Sequence, residues 1–199
     1  MRQDLFDRVS VATVVLALML SITNRLSWPQ GQPSRAPSRP DSDRNVSDRH
    51  LPQIFTDVLP EVKAETHTAI LLPDRLVNPI AKANHAIVED ANANGYAISL
   101  YYKLGIGDAG FAGSFSAQAL PRYKLDELEN VTKVKLAEGL GGFFKAVSCG
   151  GSCAPANLWW EQNGVVYQIQ LKLPPSLSER SQREAIVNLA DSCITGGPR

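Results

Sequence analysis

The sequence predicts an α+β domain: an antiparallel sheet with a C-terminal β-hairpin, packed by flanking helices and preceded by an N-terminal membrane helix and a disordered linker. Three observations predict it. Residues 95–104 alternate apolar and polar side chains, as a strand with one wet face does. Asn163-Gly164 stands between two strand-like runs, the strongest short-range hairpin signal. An uncharged apolar run near the N-terminus is followed by a proline- and serine-rich stretch, and only then by globular sequence.

Residues 9–23 carry no charge. As a helix the run is roughly 22 Å long, against a hydrocarbon core of about 30 Å. That length suits a signal-peptide core. The flanks favour an uncleaved anchor: no A-x-A-like cleavage site follows, while Arg25 can snorkel and Trp28 suits headgroup depth. Residues 1–27 are therefore read as a signal anchor, with a cleaved signal peptide as the alternative. Residues 28–50 contain Pro29, Pro33, Pro37 and Pro40, serines, and charges of both signs. With few apolar side chains, they cannot offset the entropy of ordering, and they read as a semi-stiff spacer. Residues 51–199 are read as a single α+β domain.

In that domain Leu51, Ile54, Phe55, Val58, Leu59 and Val62 fall on one face of a helix. Pro52 suits its first turn, Asp48 is a candidate cap, and Pro60 should kink or end it. Residues 69–72 read as a short buried strand stopped by Pro73. In the next strand Tyr96, Ile98, Leu100, Tyr102 and Leu104 share one face. A strand containing Phe111, Gly113 and Phe115 should return after a glycine-rich loop, and residues 131–136 are a further candidate.

The Asn163-Gly164 turn fixes the hairpin register: Gln162 faces Val165, Trp160 faces Tyr167, and Leu158 faces Ile169. Leu158, Trp160, Tyr167, Ile169 and Leu171 should form the core face. Trp159, Glu161, Gln168 and Gln170 should lie opposite. After Pro174-Pro175 a last helix should carry Ile186, Leu189, Ala190 and Cys193 inward. Ser176 with Glu179, or Ser181 with Glu184, would supply its capping box.

Composition narrows the function classes. The chain has 199 residues, 44% hydrophobic and 20% charged, and zero formal net charge. It is not a multi-span membrane protein, and it lacks the basic bias of a nucleic-acid binder. Gly105, Gly107 and Gly110 match G-x-G-x-x-G, and Asp126 lies where a ribose-binding acid could stand. A dinucleotide site needs a helix after the glycines, whereas the following residues alternate like a strand, so a hairpin loop is expected. Cys149 and Cys153 bracket Gly150-Gly151 and read as a short-loop disulfide in an oxidising compartment. Cys193 is left over, on the apolar face of the last helix.

The same C-x-x-x-C with Pro155 resembles the copper-binding motif of membrane-anchored copper chaperones of thioredoxin fold. There the motif opens a helix. Here it precedes a hairpin, and His50, His67 and His85 all lie upstream. Anchored thiol or copper chemistry is the alternative function, and a dinucleotide enzyme the third. Two cysteines do not complete a metal site. A Cys149 nucleophile with His67 or His85 has no local signature.

No G-x-S-x-G, H-E-x-x-H or P-loop pattern appears. No catalytic residue, cofactor or metal is assigned, and the chain is read as a non-enzyme. Trp159 with Glu161 and Gln168 is the candidate binding face, the alternative being that Trp159 packs under a loop or helix. Asn45 and Asn130 begin glycosylation sequons, which matter only in a eukaryotic secretory pathway.

Trp160, Gly164 and Tyr167, followed by a helix closing on Ala190 to Ile194, resemble the tail of uncharacterised exported or single-pass bacterial proteins. These include the domain of unknown function found in sporulation-associated and anti-sigma-like membrane proteins. The stretch, residues 158–194, is about a fifth of the chain. The resemblance implies a non-catalytic envelope domain with a curved sheet packed on helices, and it transfers no ligand or catalytic residue. The partners expected are the membrane, through the N-terminal helix, and an envelope protein or ligand. The globular part is expected outside the cytoplasm, single-pass anchored, or secreted if the signal is cleaved.

Overall fold

The structure, a computed structural model, describes residues 51–119 and 124–199. The apolar run, the spacer, Asp48, His50 and the first sequon lie outside the described residues. Among the described residues no helix is long and apolar enough to cross a membrane.

Among the described residues nine strands and three α-helices follow one another: α1 (Gln53–Thr56), α2 (Leu59–Glu65), β1 (His85–Asn92), β2 (Gly95–Tyr101), β3 (Phe111–Gln118), β4 (Thr132–Lys135), β5 (Gly141–Lys145), β6 (Ser148–Cys149), β7 (Cys153–Ala154), β8 (Ala156–Gln162), β9 (Val165–Leu171) and α3 (Glu179–Gly196). Seven strands form one antiparallel sheet in the order β1-β2-β3-β9-β8-β5-β4, and β6-β7 is a separate ribbon. The α+β class and the antiparallel sheet are thus as the sequence predicts.

The hairpin register is also as predicted. Gln162 pairs with Val165, Trp160 with Tyr167, and Leu158 with Ile169. The turn works because Asn163 (φ 55°) and Gly164 (φ 75°) both adopt the left-handed region that a type I′ turn needs. Leu158, Trp160, Tyr167, Ile169 and Leu171 are all buried, with Trp160 stacked on Tyr167 at 5.3 Å between ring centroids.

The core lies on one face of the sheet. Helix α3 covers β8 and β9 with Ile186, Leu189, Ala190 and Cys193, the predicted stripe, all fully buried. Its cap is Ser178, whose Oγ accepts from the Ser181 amide. Neither expected capping box forms, because the helix begins at Glu179, three residues after Ser176, and before Ser181 can act as a cap. Gln182 is buried on the same helix because both ends of its amide are used: Oε1 accepts from Val147 N and Nε2 donates to Leu177 O.

The N-terminal helix breaks in two as Pro60 requires. α1 stops at Thr56, and Pro60 occupies the first turn of α2, where its missing N–H costs nothing. Phe55 and Val62 are buried, and the Phe55 ring meets Phe115 edge-on at 5.4 Å.

Residues 69–72 depart from expectation. Ile70, Leu71 and Leu72 are buried, but no strand forms there; a single bridge joins Leu71 to Pro198. Two tyrosines replace the missing ladder. The Tyr96 hydroxyl accepts from Leu71 N (3.1 Å) and donates to Leu71 O (3.2 Å), and the Tyr167 hydroxyl donates to Ala69 O (3.1 Å). Burial holds the Tyr96 phenol well above its ordinary pKa and pushes Tyr167 up to about 12, so both remain neutral donors at physiological pH.

Two further details of the β2 reading change. The strand ends at Tyr101, so Tyr102 is only half-buried and Leu104 is exposed. A bulge between Leu100 and Tyr101 shifts the β2-β3 register, so Phe111 pairs with Tyr101 and Ala112 turns inward.

Gly95, the first residue of β2, makes a close approach. A Cβ there would lie 2.2 Å from the Ala117 carbonyl oxygen of β3, and backbone cannot swing aside. Gly95→Ala should therefore destabilise the domain by about 1–3 kcal/mol, the usual range for forced overpacking. A fall in the urea midpoint at unchanged slope would record it.

Candidate functional site

The described α-helices pack on the other face of the sheet. The open face is set by register. Ala97, Ser99 and Tyr101 of β2 lie beside Ser116 and Ser114 of β3. Those serines face Gln168 and Gln170 of β9, which in turn face Trp159 and Asn157 of β8. The middle of this face is a row of uncharged polar side chains. Two pairs among them are bonded: Gln168 Nε2 donates to Asn157 Oδ1 (2.7 Å), whose Nδ2 donates to Pro155 O (2.9 Å), and Ser114 Oγ donates to Gln170 Oε1 (3.4 Å).

The three residues of the candidate binding face do not share one environment. Trp159 is only 8% exposed. It packs with Leu125 and Val166, against Leu128, Val131 and Phe143, in a small second core beneath the loop of residues 124–131. Of the two readings open to Trp159, the structure has the one in which it packs under a loop. Gln168 is half-buried, and Glu161 is exposed.

Two clefts open on this face, and Val166 lines both. One, of about 220 Å³, is bounded by Asp90, Asn92, Asn94, Ser116, Gln118 and Gln168. Its rim is organised by short side-chain contacts: Asn92 Nδ2 donates to Asp90 Oδ2 (2.9 Å) and Asn94 N donates to Asn92 Oδ1 (3.0 Å). Asp90 reaches this face because a bulge between Val88 and Asp90 shifts the alternation of β1. Sequence reasoning missed this cleft, since β1 has no clean period of two. The other cleft, about 440 Å³, lies among Lys124, Asp126, Phe143 and Glu161.

The remaining motifs are placed as follows. Gly105, Gly107 and Gly110 form the loop between antiparallel β2 and β3. A strand, not a helix, follows them, so no helix N-terminus is present there to hold a pyrophosphate. Asp126 is exposed in the short helical turn over Trp159. Cys149 and Cys153 are cross-strand partners at disulfide distance, with Cα atoms 4.0 Å apart, in the exposed β6-β7 ribbon. Cys193 is fully buried, and that burial pushes its thiol well above its ordinary pKa, so it is a poor nucleophile. His67 and His85 are exposed on other elements. Among the described residues no three His, Cys, Asp or Glu side chains gather to hold a metal.

The open face can therefore offer hydrogen-bonding groups and shallow clefts. Among the described residues it presents no hydrogen-bonded pair of nucleophile and base. Comparison with family models, curated proteins and solved structures finds no match.

Proposed function

We propose that the chain is a non-enzymatic, membrane-tethered extracytoplasmic domain whose open sheet face binds an envelope protein or ligand. The observation that carries this reading is the polar row Ser114, Ser116, Gln168 and Gln170, beside a cleft on the face the described α-helices leave uncovered. The apolar run of residues 9–23 and the proline-rich spacer support the tether. The exposed Cys149–Cys153 pair supports an oxidising compartment.

The test is site-specific photocrosslinking in intact cells, with the full chain. A photoreactive side chain replaces exposed Gln118 or Glu161 on the open face, or exposed Arg180 on α3. Discrete adducts should form from Gln118 or Glu161 and not from Arg180. Equal labelling from all three positions, or adducts from Arg180 alone, would remove the open face from the account.

A further inference from the structure

The two edges of the sheet are not alike. At one edge, β1 is bulged between Val88 and Asp90, a device that blunts strand addition. At the other, β4 is regular, and among the described residues no strand pairs with its outer side. The register fixes which of its backbone groups point outward. Leu136 N donates to Leu140 O, continuing the ladder in which Val134 pairs with Gly142 and Thr132 with Phe144. Hydrogen-bonded and non-hydrogen-bonded pairs alternate in an antiparallel ladder. The N–H and C=O groups of Lys133 and Lys135 are therefore the ones directed away from the sheet.

Beside this edge runs a groove of about 340 Å³ between β4 and α3. Val134 and Val187 give it an apolar lining, and Arg183, Asn188 and Glu184, the last paired with Arg180, stand on its helix side. The Lys133 ammonium lies 5.9 Å from the Phe143 ring, which places its side chain on the open face. Lys135, two residues on, shares that face.

We infer that the outer edge of β4 accepts an extended peptide by strand addition, and that the peptide alternates acidic and apolar residues. Antiparallel pairing would align two acidic side chains with Lys133 and Lys135, where opposite charges directly across a ladder attract. The residue between them would point to the groove at Val134 and Val187. Main-chain bonds to Lys133 and Lys135 would supply affinity, and the alternating pockets specificity. This surface adjoins the larger cleft of the open face at Phe143, but the main-chain pairing inferred for β4 does not depend on that cleft.

The test uses the full chain in detergent and an acetylated, amidated Ser-Glu-Val-Glu-Ser peptide carrying a fluorophore. Saturable binding with Kd below about 1 mM is expected. The same peptide N-methylated at both glutamate amides, or with lysine for glutamate, should bind at least about tenfold more weakly. The double variant Lys133→Glu, Lys135→Glu should reverse the preference, with its circular dichroism unchanged. No saturable binding of the acidic peptide, or equal binding of its N-methylated form, would overturn the inference. The lysines would then be read as guards of an edge that stays bare. Should the double variant misfold, the N-methylation comparison on the natural chain still decides.

Discussion

Replacing Trp160 with alanine should cost about 3–5 kcal/mol, the range for removing a large aromatic from a packed core. Small domains hold only roughly 5–15 kcal/mol in total, so this one change should consume much of the stability. The reason is positional. Trp160 is 1% exposed, pairs with Tyr167 across the hairpin, and lies beneath the element that closes the core. Its neighbour Trp159 has the same side chain but faces the other way. Trp159→Ala empties only the small cluster with Leu125 and Val166 and should cost less, about 2 kcal/mol. Urea unfolding of the two variants, side by side, checks both the ranking and the face assignment. Equal losses would mean that the second cluster is as much a part of the core as the first.

The next largest effect should come from Arg199→Ala. Its side chain is 8% exposed and ties two segments together. Nε and Nη2 both donate to Leu72 O, at 3.1 and 2.7 Å, and Nη2 also meets the Asp74 carboxylate. Removing it leaves a buried carbonyl without its donors and a carboxylate without its counter-ion. Asp74 is 37% exposed, so water recovers part of the loss. The expected cost is about 2–3 kcal/mol, below that for a fully buried pair. Arg199→Lys should rescue little, because an ammonium cannot bond Leu72 O and Asp74 with the same planar fork. Thermal unfolding of the two variants would show it. A lysine variant as stable as the natural chain would mean that charge alone matters at this position.

These two residues also show what the sequence makes legible. The register around Trp160 can be read from Asn163-Gly164, because a two-residue turn leaves one pairing for everything that follows. The apolar stripe of α3 can be read because its period is regular. Arg199 gives no such signal, since its partners Leu72 and Asp74 are far away in the chain. Strand β1 is hidden for a local reason: its bulge breaks the alternation at Glu89. Strand β5 is hidden because Gly141-Gly142 reads as loop, and because Phe143 and Phe144 stand side by side yet enter different clusters.

The apolar run 69–72 shows a different limit. Burial follows from composition, but strand pairing depends on what else can bond the backbone, and here the hydroxyls of Tyr96 and Tyr167 do so. At the candidate site, alternation assigned Trp159, Glu161 and Gln168 to one face, as the register has them. It could not reveal the loop of residues 124–131 that covers Trp159. That loop comes from a distant part of the chain and carries no period of its own.

The buried state of Cys193 sharpens the most direct test of a tethered domain in an oxidising compartment. The measurement is the intact mass of the native protein from a membrane fraction, alkylated under denaturing conditions with and without prior reduction. Denaturation is needed because Cys193 is fully buried in the fold. The account predicts the full-length mass, one alkylated thiol without reduction and three after it. A shortened mass in the soluble fraction would contradict the anchor. Three alkylated thiols without reduction would contradict the oxidised pair at Cys149 and Cys153, and would move thiol or copper chemistry ahead of binding.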